Sequence, residues 1–252
     1  MQNLFIRKSL VLAASSAVLA LGVSNPAQAI LQISFDANGS GPTTIQDNQP
    51  GDTNGALGTL QLANTTAGGI TFLGSTHIST TGATNVLNSS SLNVVNGNAT
   101  GVHDVVAVSA TGFGPGANLA FATASGNWLG GVANGIASSI TLSYCISSTN
   151  QQGATNPTDC AGALITPAVT FTSTGVGVDA FSYTPGAFSI DAPGFYSMTL
   201  LFDIFLAPGA TLSSRGQTLL AEQVPEPASL ALLGIGLAGL GLSRRGRKNQ
   251  TA

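Results

Sequence analysis

Two long segments of the chain alternate between apolar and polar side chains with a period of two residues. In residues 195–206 every even-numbered position carries a large apolar side chain, whereas Ser, Thr and Asp occupy three of the odd-numbered positions. Residues 136–147 repeat the pattern, with Ser138 as the exception on the apolar side. Because neighbouring side chains of a strand point to opposite faces, each segment predicts a β-strand with one buried face.

Eight shorter segments also have strand character, and Gly, Pro or Asn separates nearly all of them. They are Leu31–Phe35, Leu57–Leu62, Gly69–Leu73, Val105–Ser109, Leu119–Thr123, Val169–Thr172, Ala187–Ile190 and Gln217–Leu220. About ten short strands in one domain are typical of an antiparallel β-sandwich or jelly roll, so we predict an all-β fold of this kind. Ala37–Asn54 and Asn85–Thr100 are rich in Gly, Asn, Ser and Thr, and we expect them to be the least ordered segments.

Residues 30–224, which we take as the folded domain, contain few charged side chains and no lysine. They hold eight Asp and one Glu against Arg215 alone, a net charge of −8. Over the whole chain 7% of residues are charged, compared with about 25% in ordinary soluble domains. A single arginine cannot neutralise a phosphate backbone, so nucleic-acid binding is excluded. Chemistry that needs a lysine amine is excluded for the same region.

The first 29 residues have the pattern of an export signal. Arg7 and Lys8 precede an apolar run from Leu10 to Val23, and the tripeptide Ala-Gln-Ala ends at residue 29. A basic start, a short apolar segment and an A-x-A site are typical of a secretory signal peptide. We therefore predict a signal helix within residues 1–29 that is cleaved after Ala29. An uncleaved membrane anchor is the alternative.

A second apolar segment, residues 229–243, lies between a Pro-Glu-Pro tripeptide and a basic cluster. The tripeptide is Pro225, Glu226 and Pro227, and the basic cluster is Arg244, Arg245, Arg247 and Lys248. The apolar segment is somewhat shorter than the ~20 residues of a full membrane span. Positive charge beyond it would hold the C-terminus in the cytoplasm. We predict a transmembrane helix within residues 225–252 that holds the exported domain at the membrane before processing.

This order of tripeptide, glycine-rich apolar helix and arginine cluster resembles the PEP-CTERM sorting signal of Gram-negative bacteria. The resemblance covers about the last 28 residues, together with the signal peptide expected to accompany it. It implies that an exosortase, a membrane-embedded cysteine transpeptidase, recognises the tripeptide, removes the helix and releases or transfers the protein at the cell surface. Such proteins tend to occur in bacteria that make exopolysaccharide and biofilm matrix. The resemblance implies nothing about what residues 30–224 bind.

Two cysteines, Cys145 and Cys160, remain after the predicted cleavage. Export to an oxidising compartment and an even count favour a disulfide between them. The bond would close a loop of about 15 residues, which is worth about 3 kcal/mol in the chain-entropy model. Since Cys145 lies on the Ser/Thr side of its strand, the bond would hold a loop over the outer face. A pair of free thiols is the alternative.

The residues that could support catalysis are sparse and unpaired in the sequence. The only histidines are His77 and His103, and His103 is followed by Asp104. Adjacent residues on a strand point to opposite faces, so this dipeptide does not form an orienting pair. The chain has no G-x-S-x-G motif, and nothing in the sequence pairs two carboxylates as glycoside hydrolysis requires. We therefore predict that the protein is not an enzyme.

One loop has the oxygen-ligand spacing of a calcium site. Asp36, Asn38, Ser40 and Asp47 are spaced as ligands of a calcium loop, with Gly41 at its turn position. The bidentate glutamate and flanking helices of such a loop are missing. We therefore expect a plain surface loop and no cofactor, with a calcium site as the alternative.

The single tryptophan, Trp128, lies in the glycine-rich segment Gly126–Gly131. An exposed indole in such a setting could stack on a sugar ring. A lone tryptophan more often packs against an edge of the core, and we prefer this interpretation to sugar stacking.

Together these features predict a non-enzymatic secreted or cell-surface protein associated with the envelope, exopolysaccharide or biofilm matrix. Its expected partners are an exosortase-type transpeptidase, the membrane before processing, and an exopolysaccharide. A carbohydrate-binding or calcium-dependent adhesion module is the second hypothesis, and a secreted hydrolase is the third. The domain boundaries that follow are 1–29 for the signal peptide, 30–224 for the β domain and 225–252 for the sorting signal.

Overall fold

The computed structural model describes residues 30–82, 84–152, 163–165 and 167–221, and every regular element among them is a β-strand. The strands are β1 (Leu31–Ala37), β2 (Thr43–Gln46), β3 (Thr59–Gln61), β4 (Thr65–Ala67), β5 (Ile70–Phe72), β6 (Thr76–Thr80), β7 (Thr84–Asn96), β8 (Val102–Phe113), β9 (Ala117–Leu129), β10 (Val132–Ala133), β11 (Ile136–Ala137), β12 (Ser139–Ser147), β13 (Ala163–Leu164), β14 (Val169–Thr172), β15 (Val178–Tyr183), β16 (Phe188–Ala192), β17 (Tyr196–Leu206) and β18 (Thr211–Ala221). The predicted signal helix and transmembrane helix lie outside these residues. Among the residues that the structure describes, no helix is long and apolar enough to span a membrane.

The strands form two large sheets that face each other. The seven-stranded sheet has the order β13-β12-β17-β8-β1-β2, with β14 paired to β12. The nine-stranded sheet has the order β15-β9-β18-β7-β5-β4, and it also contains β16, β6 and β3. All of these pairings are antiparallel. The prediction of an antiparallel β-sandwich is therefore confirmed.

Eight strand positions at the centre of the sandwich follow jelly-roll order. One group of four is β7, β9, β15 with β16, and β18; the other is β8, β12, β14 and β17. In space, the nine-stranded sheet runs β7, β18, β9 and β15, and the seven-stranded sheet runs β8, β17, β12 and β14. The first strand of each group therefore lies beside the last strand of that group. This order arises when a long antiparallel hairpin folds over on itself. The β1–β2 hairpin extends the seven-stranded sheet beyond β8, and β3 to β6 extend the other sheet beyond β7.

The core lies between the inner faces of the two sheets. On β17 the side chains of all even-numbered positions from Tyr196 to Leu206 are at most 1% exposed, as their alternation predicts. Aromatic pairs link the two layers: the ring centroids of Phe35 on β1 and Phe72 on β5 are 4.5 Å apart. Burial of these large side chains from water is the main force that holds the layers together.

The two segments expected to be least ordered contain strands, and this prediction was wrong. Ala37–Asn54 includes β2, and Asn85–Thr100 includes most of β7, which lies between β18 and β5 inside the nine-stranded sheet. The inward positions of β7 carry asparagine and serine as well as leucine and valine, so composition hides the alternation. Asn85 donates a hydrogen bond to the hydroxyl of Tyr196 at 2.7 Å, and Asn96 donates to the carbonyl of Leu206 at 3.1 Å. These bonds to the opposite sheet satisfy the buried amides.

Candidate functional site

The residues of the predicted sorting signal lie outside the described part of the chain, as does the whole of 225–252. The last described residue, Ala221, ends β18, a strand flanked on both sides in the nine-stranded sheet by β9 and β7. Only Glu222, Gln223 and Val224 separate it from Pro225. The tripeptide therefore follows a rigid strand with a spacer of three residues.

Trp128 is buried, so the hypothesis of an exposed, sugar-stacking tryptophan was wrong. Its side chain is 1% exposed, and its ring centroid lies 4.8 Å from that of Phe181 on β15. Phe181 in turn stacks on Phe171 of β14, which belongs to the opposite sheet. Gly126 makes room for this cluster, since a Cβ there would lie 2.6 Å from a ring carbon of Phe181. Gly131 is similarly crowded, since a Cβ there would lie 3.0 Å from Cβ of Trp128, so these two glycines serve close packing rather than exposure.

The four candidate calcium ligands do not converge, because the segment that carries them is a β-hairpin. Asp36 lies near the end of β1, whereas the amide of Asp47 donates to the carbonyl of Leu31 at the start of β1. Five residues of extended strand separate Leu31 from Asp36, a distance of ~17 Å. Each carboxylate also has its own amide donor: Gly41 for Asp36 at 3.0 Å, and Gly58 for Asp47 at 2.7 Å. One cation cannot bind both, so this ligand set was wrong.

No other metal site emerges from the described ranges. Within them, no three side chains of the types His, Cys, Asp and Glu come together in a way that could hold a metal ion.

Cys145 is fully buried and is not a free thiol. It lies opposite Thr199 on the face of the seven-stranded sheet that points away from the other sheet. The chain folds back over this face after β12, where Ser197 donates a hydrogen bond to the carbonyl of Gln151 and Gln152 donates to that of Ser109. Cys160 lies outside the described residues. The Cys145–Cys160 disulfide therefore stays a prediction.

His77 is buried inside the sandwich rather than placed in a cleft. Its side chain is 0% exposed, and its Nδ1 lies 3.1 Å from Oγ of Ser89 on the neighbouring strand β7. Its Nε2 is buried without a hydrogen-bond partner. Burial lowers the pKa of His77 from 6.5 to about 3, so the imidazole is neutral at physiological pH.

Asp104 is a buried carboxyl that the sequence did not distinguish from the other aspartates. It lies on the inner face of β8, between Ala37 of β1 and Ile204 of β17. Its side chain is 0% exposed, and neither carboxyl oxygen has a hydrogen-bond partner. Burial raises its pKa from 3.8 to about 7, and the charges of Asp36 and Asp203 add to this effect.

His103 pairs with Asp203 of β17, not with its sequence neighbour Asp104. The two atoms Nε2 and Oδ1 are 2.6 Å apart, on the face of the seven-stranded sheet that is turned to solvent. Both side chains are about half exposed, at 55% and 50%. The pair forms on an open strand surface, and no serine hydroxyl is bonded to it among the described residues.

A polar surface that the sequence analysis did not single out lies on the outer face of the nine-stranded sheet. Arg215 occupies an exposed position at the middle of β18, where Nε donates to Oγ of Ser125 on β9 at 2.8 Å. On the other side, β7 has a β-bulge that sets Ser90 and Ser91 opposite Arg215. The sequence signal was the position of the sole basic residue of 30–224 within a polar strand.

Two hollows flank Arg215 along the strand direction, and both are lined by Arg215 and Ser125. One, of about 350 Å³, also includes Asn88, Thr123 and Gln217. The other, of about 460 Å³, includes Asn127, Ser213 and Ala180. Apart from Arg215 and the largely buried ring of Phe181, side chains with hydroxyl or amide groups and small residues line them. We call this area, Arg215 and the two hollows, the Arg215 face.

The fold and the tail define a class of protein, a β-sandwich domain followed by a C-terminal sorting signal. Residues 223–248 match the family model of the PEP-CTERM protein-sorting motif. The resemblance seen in the sequence is thus confirmed for this part of the chain. The motif implies export, sorting to the surface and processing by exosortase.

A comparison with curated proteins finds no match. Solved structures similar to the chain include that of TmCBM61 in complex with beta-1,4-galactotriose, with 12% identity, a TM-score of 0.30, and coverage of 56% of this chain and 83% of that one. Another is a structure from work on the promiscuous specificity of carbohydrate-binding modules of the β-sandwich superfamily, with 9% identity, a TM-score of 0.22, and coverage of 73% and 83%. At these TM-scores the likenesses carry no argument about binding.

Proposed function

We propose that this chain is a non-enzymatic cell-surface or matrix protein, delivered by exosortase processing and associated with the envelope, exopolysaccharide or biofilm layer. The observation that carries the proposal is the PEP-CTERM motif, which begins directly after the folded domain. A β-sandwich domain whose C-terminal membrane segment is removed by exosortase would be presented outside the cell. Its surface, rather than a catalytic centre, would then perform its role.

The positions of the ionisable groups support a role without catalysis. A histidine acts as a general base only within hydrogen-bond reach of the proton that it abstracts. His77 is sealed in the core with a pKa of about 3, and Asp104 is buried without a partner. His103 and Asp203 lie on an open sheet surface. A secreted hydrolase would need these groups to converge in a cleft, so the structure gives this alternative no support.

The calcium-dependent adhesion hypothesis has no support left, because its ligand set is divided between the two ends of a hairpin. The carbohydrate-binding hypothesis can no longer rest on Trp128, because this side chain is buried in the core.

The sorting step can be tested in the producing cells by replacing Pro225, Glu226 and Pro227 with alanine. We expect the unprocessed chain to accumulate in the membrane fraction, at a mass that includes the C-terminal segment. Replacement of Ser229 and Leu230 by alanine, just beyond the tripeptide, is the matched control and should leave processing intact. Unchanged processing and unchanged surface display or release in the tripeptide variant would contradict the proposal.

A further inference from the structure

We propose that the Arg215 face binds a carboxylated polysaccharide, with the guanidinium of Arg215 holding the carboxylate of a uronic acid residue. This inference rests on the proposed function, since it names the class of matrix polymer that the domain would contact. It concerns a site different from the two that the sequence suggested.

The distribution of charge favours an anionic ligand at Arg215. Arg215 is the only Lys or Arg of residues 30–224, against nine acidic side chains. Among the described residues no carboxylate pairs with it, and its one hydrogen bond runs from Nε to Ser125, so the Nη groups have no protein acceptor there. A guanidinium presents a planar fork of donors that matches a carboxylate. On a domain of net charge −8, this is the position where an anionic group gains attraction instead of repulsion.

The lining of the two hollows matches the hydrogen-bonding chemistry of sugars. Sugar hydroxyls both donate and accept hydrogen bonds, and the same is true of the side chains of Ser, Thr, Asn and Gln. Such side chains line the hollows on both sides of Arg215, and none of the described residues in either lining is a carboxylate. The volumes of about 350 and 460 Å³ lie within the range of small-molecule sites. A polymer chain laid along β18 would place a charged sugar at Arg215 and its neighbours in the hollows.

The Arg215 face is held in place before any ligand binds. Ser125 fixes the orientation of Arg215, and the hydroxyl of Ser213 donates to Oδ1 of Asn93 at 2.7 Å. The β-bulge at Ser90 and Ser91 interrupts the regular ladder opposite Arg215. Bulges of this kind re-aim side chains and are common beside functional sites. A preorganised surface loses less conformational entropy on binding.

The same observations disfavour other polymers. A neutral polysaccharide would leave the guanidinium without an anionic partner and would normally use an exposed aromatic ring. Phe181, the one aromatic side chain among the described lining residues, is only 7% exposed. A nucleic acid or a highly sulfated polymer would need several cations. A carboxylate with hydroxyl groups around it fits a single arginine among hydroxyl and amide side chains.

The test compares binding of the full-length chain, in neutral detergent, to alginate, dextran and dextran sulfate by affinity gel electrophoresis. We expect alginate alone to retard the wild-type protein, and Arg215→Gln to weaken that binding about tenfold or more, as for a lost hydrogen bond to a charged group. His103→Gln removes an exposed ionisable group from the other sheet and should bind as wild type does. Because Ala180 is exposed at the rim of one hollow, Ala180→Asp adds repulsion without disturbing the core, and it should weaken binding as well.

The inference would be overturned if the wild-type protein did not bind alginate. It would also be overturned if Arg215→Gln and Ala180→Asp bound alginate as strongly as the wild type does. Equal retardation by dextran would assign the face to neutral sugars, and stronger retardation by dextran sulfate would indicate simple ion exchange; both outcomes reject a uronate site. None of these results bears on sorting, which the tripeptide variant tests by localisation. Failure of the two proposals can therefore be told apart.

Discussion

Asp104 and His77 are buried ionisable groups whose effects on stability should oppose each other. The folded protein keeps the proton of Asp104 up to a pH of about 7, whereas the unfolded chain loses it near pH 3.8. The folded protein keeps His77 neutral down to a pH of about 3, whereas the unfolded imidazole gains a proton below pH 6.5. Rising pH therefore lowers stability through Asp104 and raises it through His77. Each slope is about 1.4 kcal/mol per pH unit.

These slopes cancel where both apply, between pH 3.8 and pH 6.5. Asp104→Asn removes the contribution to stability that falls as the pH rises. The difference in unfolding free energy between variant and wild type should then grow from pH 3.8 to a pH of about 7, by about 4 kcal/mol in total. His77→Gln removes the contribution to stability that rises with the pH. Its difference from wild type should be largest near pH 3 and should shrink up to pH 6.5, by about 5 kcal/mol.

The assay is urea unfolding at several pH values, followed by the fluorescence of the single, buried Trp128. Any change in packing caused by a substitution adds a constant and leaves the pH dependence intact, so the slope of the difference is the quantity that matters. A difference for Asp104→Asn that is flat from pH 4 to pH 7 would refute the reasoning, because it would mean that the buried carboxyl titrates as it does in water.

Two further predictions follow from the placement of the other candidate residues. Calcium should leave the melting temperature unchanged, because Asp36 and Asp47 lie ~17 Å apart along the hairpin; a rise of several degrees that Asp36→Ala abolishes would contradict this. The exported protein should gain the mass of two hydrogen atoms on reduction, and Cys145→Ser with Cys160→Ser should lower the unfolding free energy by about 3 kcal/mol. An unchanged mass after reduction would show that the two thiols are free.

Much of the fold could be predicted from the sequence where the signal is local. The strands β17 and β12 carry apolar residues at nearly every second position, and a period of two is the geometry of the strand itself. The sorting motif is equally local, since contiguous residues carry it and residues 223–248 match the family model. The order of the strands could not be predicted beyond the class of antiparallel β-sandwich or jelly roll, because many ways of pairing ten strands bury the same faces.

The candidate site could not be predicted in the same way, because its residues meet only across strands. Arg215 is one polar residue of β18 until β9 places Ser125 beside it and the bulge in β7 places Ser90 and Ser91 opposite. Trp128 was equally ambiguous, since its environment depends on Phe181 of β15, far along the chain. The spacing of Asp36 and Asp47 suggested one loop, whereas strand pairing set the two carboxylates at opposite ends of a hairpin.

The sequence by itself determined the all-β class, the buried face of β12 and β17, and that a sorting signal follows the domain, because neighbouring residues encode each of these. Only the tertiary structure decided that the polar strand β7 belongs inside the sheet, where Asn85 and Asn96 find partners in the opposite layer. It also decided which polar groups are exposed together around Arg215 and which, like Asp104 and His77, are sealed from water. Burial and pairing are properties of surfaces brought together from distant parts of the chain, and no local pattern contains them.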